Sequence, residues 1–152
     1  MTKRIEKIAV VGAGVMGASI AAHFANAGFS VDLLDIVPPE LAAEEKVKGL
    51  TLSHPAVRNR IVRKGLERAQ KNKPPAFFLA EWAERIRLGN LEDHFSRLTE
   101  VDWIIEAVTE NLEIKTTLLN RIDRIRNPGA IVSTNTSGIP INRLTAGLSK
   151  DF

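Results

Sequence analysis

A chain of 152 residues, 44% hydrophobic and 26% charged, fits one globular domain with a single core; no segment approaches the ~20 apolar residues of a membrane span. The absence of cysteine excludes disulfides, thiolate nucleophiles and zinc-thiolate sites, and with His23, His54 and His94 as the only imidazoles no metal is expected. The net charge of +3 is local: from Arg58 to Lys73 seven Lys or Arg stand against one acid, Glu67, a pattern that suits an anionic ligand, nucleic acid or, most commonly, a solvated helix face.

Met1 to Lys7 is polar and carries no apolar export signal, so a cytoplasmic protein is expected. Lys7 to Val11 is a short β-branched run ending at a glycine, the pattern of a buried parallel strand. Met16, Ile20, Phe24 and Ala27 then recur at helical spacing, and Gly28 stops the helix. Val31 to Asp35 reads as a second strand, closed by Val37-Pro38-Pro39. From Glu40 to Lys73 the pattern is helical and highly charged, broken at His54-Pro55, which predicts a helical hairpin projecting from the sheet.

Arg85 to Leu88 with Gly89-Asn90 predicts a third strand and turn, and Leu91 to Leu98 a short helix. Asp102 to Val108 is strand four. Ile114, Leu118, Leu119, Ile122 and Ile125 form the apolar stripe of the following helix, Pro128-Gly129 ends it, and Ala130 to Ser133 is strand five. Alternating strands and helices require a mostly parallel sheet with right-handed crossovers, the doubly wound α/β class.

Gly12-Ala13-Gly14-Val15-Met16-Gly17 fits G-x-G-x-x-G between a strand and a helix, and Asp35 closes the next strand 18 residues after Gly17, near the ~20-residue interval of a ribose-binding acid. Gly12 permits a tight turn, Gly14 lets the backbone approach a pyrophosphate, and Gly17 lets the helix pack closely. The helix N-terminus then offers free N–H groups and a positive dipole end to the anion. A carboxylate at Asp35, followed by Ile36 rather than arginine, suits the free ribose of NAD and repels the 2′-phosphate of NADP.

Ligands of doubly wound sheets lie beyond the carboxyl ends of the strands, so Ala107 to Lys115, including Val108, and Ser133 to Ser137 should face the cofactor. The second segment is rich in hydroxyls and amides, with Asn135 and Ser137 able to hydrogen-bond a nicotinamide or a substrate oxygen; a plain N-cap is the simpler alternative. Glu110 and Lys115 by themselves read as solvated charges at a helix start.

Val-Gly-Ala-Gly-Val-Met-Gly at 11–17, Ile-Glu-Ala-Val-Thr-Glu-Asn at 105–111 with Lys115, and Ser-Thr-Asn-Thr-Ser at 133–137 together resemble the NAD-binding domain of 3-hydroxyacyl-CoA dehydrogenases, over essentially the whole chain. The resemblance implies a Rossmann-type fold, oxidation of (3S)-3-hydroxyacyl-CoA to 3-ketoacyl-CoA in fatty-acid β-oxidation, and NAD as cofactor. It assigns Asp35 to the adenosine ribose, Glu110 and Lys115 to contacts with NAD, and Ser137 to the space between nicotinamide and substrate, as the one catalytic-site contact in the chain. It also implies that the hairpin after strand two helps hold CoA, with Lys71 and Lys73 as candidates for its phosphates.

The family's acid/base histidine, in a His-Phe-Phe-Asn-Pro segment and paired with a glutamate, is matched by none of His23, His54 and His94. The expectation is therefore one NAD-binding domain over residues 1–152, ending before that segment and before the family's C-terminal helical domain, and inactive by itself. Partners expected are the acyl-CoA, that further domain of the same polypeptide, and a second copy of the chain as a candidate cover for the sheet edge. Another hydroxyacid or sugar-nucleotide dehydrogenase, and a module that senses NAD(H) without chemistry, are the alternatives. Nucleic-acid binding through Arg58 to Lys73 is disfavoured by the scarcity of aromatic residues nearby.

Overall fold

Five parallel strands carry the architecture in the computed structural model, which describes residues 4–152; Met1 to Lys3, part of the polar start discussed above, lie outside the described residues. The strands are β1 (Lys7–Val11), β2 (Ser30–Asp35), β3 (Ile86–Asn90), β4 (Trp103–Glu106) and β5 (Ile131–Thr134), in the order β3-β2-β1-β4-β5. The order reverses at β1, which pairs with β2 on one side and β4 on the other. This is the switch point at which doubly wound sheets open a crevice. Register sets the crevice: Val11 lies opposite both Leu34 and Glu106, so the exits of β1, β2 and β4 are level.

Ile8, Ala9, Val10 and Val11 are all wholly buried, as expected of a central parallel strand covered on both faces. Alternation sends Ile8 and Val10 to one core, with Ala18, Ala21, Ala22 and Ala25 of helix α1 (Val15–Asn26), and Ala9 and Val11 to the other. The second core is filled by Leu118, Leu119 and Ile122 of the helix between β4 and β5 (Leu112–Ile125) and by Leu144 of a short helix (Ile141–Leu144). The small-residue face of α1 lets its axis approach the sheet closely.

The charged segment after β2 takes another form than a projecting hairpin. It contains α2 (Ala43–Val47), α3 (Pro55–Arg58) and α4 (Arg60–Lys71), and α4 packs against α1 and the sheet as the crossover helix. The reason is its inner face. Val62, Gly65 and Ala69 are buried at helical spacing, and at Gly65 the contact is so close that a Cβ would stand 2.3 Å from the carbonyl oxygen of Ala13. The two helices between β4 and β5 and after β5 are accordingly α5 and α6. The short helix expected over 91–98 is a turn followed by a 3-10 stretch, Phe95–Glu100, and a second 3-10 stretch, Ala80–Arg85, leads into β3.

Much of the basic stretch is neutralised within the fold. Arg58 donates to Asp93 at 2.6 and 2.8 Å and to Glu92 at 2.7 Å, Arg60 pairs with Glu45, and Lys64 and Arg63 lie 3.9 Å from Glu44 and Glu67. The Arg58–Asp93 pair ties α3 to the exit of β3, where the wholly buried Asn90 bridges Asp93 to Asn59. Hydrogen bonds from Arg58, and next from Asn90, hold the Asp93 carboxyl down at about 2. A carboxyl more acidic folded than unfolded gives stability that is present above its ordinary range and lost as pH falls toward about 2. Asp93→Asn should therefore be less stable than the parent at pH 7, with the gap closing between pH ~4 and ~2. Urea midpoints at those pH values test this; the pair's solvent exposure keeps the expected effect modest.

Candidate cofactor site

At the switch point the strand exits enclose a cleft of about 760 Å³, lined among others by Gly12, Gly14, Val15, Met16, Asp35, Ala107, Val108, Glu110 and Asn135. A volume in the range of ~300–1,000 Å³ is that of small-molecule and cofactor sites. All nine of those residues were singled out from the sequence.

The glycine loop is built as its chemistry requires. Gly12 sits at φ +104°, a region that favours glycine, and a Cβ there would meet the Ala107 carbonyl oxygen at 2.5 Å. Gly17 lies beneath the loop, where a Cβ would come within 1.8 Å of the Gly12 carbonyl oxygen and 3.4 Å of the Ala107 Cβ. Gly14 is the opposite case: an added Cβ meets nothing within 4 Å, so the missing side chain leaves open space in the cleft. Gly14 is also the N-cap of α1, which no side-chain hydrogen bond caps. The first N–H groups of α1 are thus left for an anion in that space.

Asp35, at the end of β2, accepts the Ala13 N–H at 2.6 Å through one carboxylate oxygen and the Ile36 N–H at 2.6 Å through the other. Each oxygen retains a lone pair for a hydroxyl donor. Beyond it the cleft is walled by Ile36, Leu91, Ile114 and Leu118. Ile36 and Ile114 are about half exposed (54% and 49%) because they face this space rather than a core. Arg121 closes that end: its guanidinium donates to the Leu91 carbonyl at 3.0 Å and lies 4.1 Å from the Phe95 ring centroid.

On the other side the exits of β4 and β5 are joined by buried charge. Lys115 and Glu106 are both wholly buried and paired at 2.8 Å. Lys115 is therefore not a solvated helix-start charge; its ammonium also reaches the Val108 carbonyl at 3.3 Å and Glu110 at 3.4 Å. Glu110 accepts from the Thr136 hydroxyl and from the Gly138 N–H at 3.2 Å. The Thr136 hydrogen bond first, then Gly138 and Lys115, hold its carboxyl below the usual range. At the start of α5 the Asn111 side chain accepts the Ile114 N–H at 3.0 Å as N-cap.

Four sequence candidates for the cofactor do not line the cleft. Ala13 is buried against α4, Gly17 and Lys115 lie beneath the floor, and Ser137 is exposed on the bend after β5. Lys71 and Lys73 are exposed at the end of α4, about 9 Å along the helix from its contact with the glycine loop, toward Asn26 at the far end of α1. Among the described residues no histidine lines the cleft. Arg121 and Glu106 were missed. An acid closing an otherwise apolar buried strand was the available signal for Glu106, since such a charge needs a partner; nothing in the sequence marks Arg121 among its charged neighbours.

The comparisons with known proteins agree with this geometry. The family model described as "3-hydroxyacyl-CoA dehydrogenase, NAD binding domain" matches residues 7–151. The chain is 49% identical over its whole length to a probable 3-hydroxyacyl-CoA dehydrogenase of Bacillus subtilis, of which it covers 19%. It is 34% identical over 96% of its length to the fatty acid oxidation complex subunit alpha of Acinetobacter baumannii, of which it covers 18%. It spans about a fifth of the length of these curated relatives. Among solved structures, (S)-3-hydroxybutyryl-CoA dehydrogenase from Ralstonia eutropha matches with TM-score 0.65 and 30% identity, over 97% of this chain and 47% of that one. With the family model covering residues 7–151, from β1 and the glycine loop to the segment after β5, the chain belongs to the NAD-binding domain family of the 3-hydroxyacyl-CoA dehydrogenases.

Proposed function

We propose that this chain holds NAD for an enzyme that oxidises (3S)-3-hydroxyacyl-CoA to 3-ketoacyl-CoA in fatty-acid β-oxidation. The observation that carries the reading is the cleft itself, where the open space over Gly14, the Asp35 carboxylate and the β4 and β5 exits follow one another across the switch point. The pyrophosphate lies at the N-terminus of α1, the adenosine ribose donates to Asp35, and the adenine enters between Ile36 and Ile114. The nicotinamide half extends past Ala107, Val108 and Glu110 to Asn135, with Ser137 outside it on the substrate side. NAD supplies the hydride acceptor when bound; the chain's own groups orient it and hold charge beneath it.

Oxidation of a hydroxyl also requires a base for its proton. None of His23, His54 and His94 lines the cleft, so this reading draws the acid/base group, and most acyl-CoA contacts, from the remaining length that the relatives possess. Lys71 and Lys73 stay candidates for CoA phosphates only along the outer side of α4, away from the cleft. A cytoplasmic location and pairing of two copies belong to the same reading.

The test is calorimetric titration of the chain with NAD and with NADP, repeated with Asp35→Ala. The expected result is NAD binding in the micromolar-to-millimolar range with NADP weaker. The variant should bind NAD at least ~10-fold more weakly, as a lost charge-assisted hydrogen bond implies, and its preference over NADP should narrow. A folded chain that binds neither, or binds NADP better, would overturn the proposal.

A further inference from the structure

Glu106 is wholly buried at the end of β4 and does not line the cleft, yet its carboxylate holds Val108, which does, and ties it to α5 and β5. One oxygen accepts the Val108 N–H at 2.7 Å and the Lys115 ammonium at 2.8 Å; the other accepts that ammonium at 3.0 Å and the Thr134 hydroxyl. Its backbone carbonyl accepts the Asn135 N–H at 2.7 Å. One residue thus fixes the turn after β4, the inner face of α5 and the exit of β5.

Lys115 extends the set to the Val108 carbonyl and to Glu110, and Glu110 passes it to Thr136 and Gly138. Core stability alone does not call for such a set, because apolar side chains of similar volume commonly replace a buried ion pair without loss. What apolar groups lack is direction: they would leave the Val108 N–H and the Thr134 hydroxyl without an acceptor and Glu110 without its cation.

We propose that Glu106 is a positioning residue that, through Lys115, sets the β4 and β5 exits against each other and so shapes the nicotinamide half of the cleft, leaving the adenosine half untouched. The inference rests on the NAD reading above and adds to it a residue that never meets the cofactor. The two halves draw on different exits: Asp35, Ile36 and Gly14 belong to β1 and β2, whereas Ala107 to Glu110 and Asn135 belong to β4 and β5; Ile114, which walls the adenosine half from α5, has its backbone held by the Asn111 N-cap rather than by Glu106.

The experiment titrates NAD and ADP into the whole chain, its Glu106→Gln and Thr134→Val variants, and the double variant Glu106→Gln/Lys115→Met. ADP probes the adenosine and pyrophosphate half alone. The expected result is a loss of at least ~10-fold in NAD affinity for Glu106→Gln and for the double variant, a smaller loss for Thr134→Val, and ADP affinity within ~2-fold of the parent throughout. Parallel loss of both ligands, or no loss of either, overturns the inference. Should Glu106→Gln fail to fold, the double variant, which leaves no wholly buried charge unpaired, and Thr134→Val carry the same comparison. A parent chain that binds no NAD overturns the functional reading and this inference together, whereas Glu106→Gln binding like the parent overturns this inference alone.

Discussion

Gly17→Ala should cost the chain a large share of its stability, although alanine is the better helix former. The propensity gain is ~1 kcal/mol. Against it stands a methyl group 1.8 Å from the Gly12 carbonyl oxygen and 3.4 Å from the Ala107 Cβ. The first contact is backbone and cannot rotate aside, so α1 must leave the sheet or the glycine loop must rebuild. Overpacking of a core typically costs ~1–3 kcal/mol even where flexible side chains can yield, and here the net loss is expected at ~3 kcal/mol or more, out of a total of ~5–15 kcal/mol. Gly14→Ala, three residues away in the same motif, should barely change stability, because its Cβ enters open space. It should instead weaken NAD binding, since that space is where the pyrophosphate is proposed to lie. Urea midpoints and NAD titrations of the two variants check the contrast; equal stabilities would show that the loop tolerates a side chain at Gly17.

The contrast also marks how far the sequence is legible. The roles of Gly12, Gly14 and Gly17 follow from spacing after a strand, because each is forced by backbone geometry within a few residues. Asp35 is legible for the same reason, one strand later. The strands are legible as short apolar runs: β1 has the bounds expected, and the ends of the others lie within two residues of those expected.

What stayed hidden depends on contacts between distant residues. The charged helical pattern of 60–71 states that a helix forms but not where it lies. Its docking is decided by Gly65 against Ala13, 52 residues apart in sequence, and so the segment expected to project became a crossover helix. Lys115 looked like a surface charge because its partner sits on the preceding strand rather than one helical turn away. Arg121 belongs to the exposed rim of α5 by pattern and is directed to the cleft only by the Leu91 carbonyl and the Phe95 ring.

Removal of the Lys115 ammonium alone is the second large effect expected. In Lys115→Met the Glu106 carboxylate keeps the Val108 N–H and the Thr134 hydroxyl but loses its cation at a site with no solvent access. Breaking one side of a buried pair typically costs ~3–5 kcal/mol, whereas replacing both sides is often neutral. Lys115→Met should therefore lower the urea midpoint sharply, and Glu106→Gln/Lys115→Met should recover most of the loss, giving a large coupling energy in the double-mutant cycle. NAD affinity should not recover with it. Stability depends on whether an unpaired charge is buried, while the cleft depends on what holds Val108, Glu110 and Thr134 in place, and the double variant settles the first without restoring the second. If affinity returned together with stability, the pair would be serving the core alone.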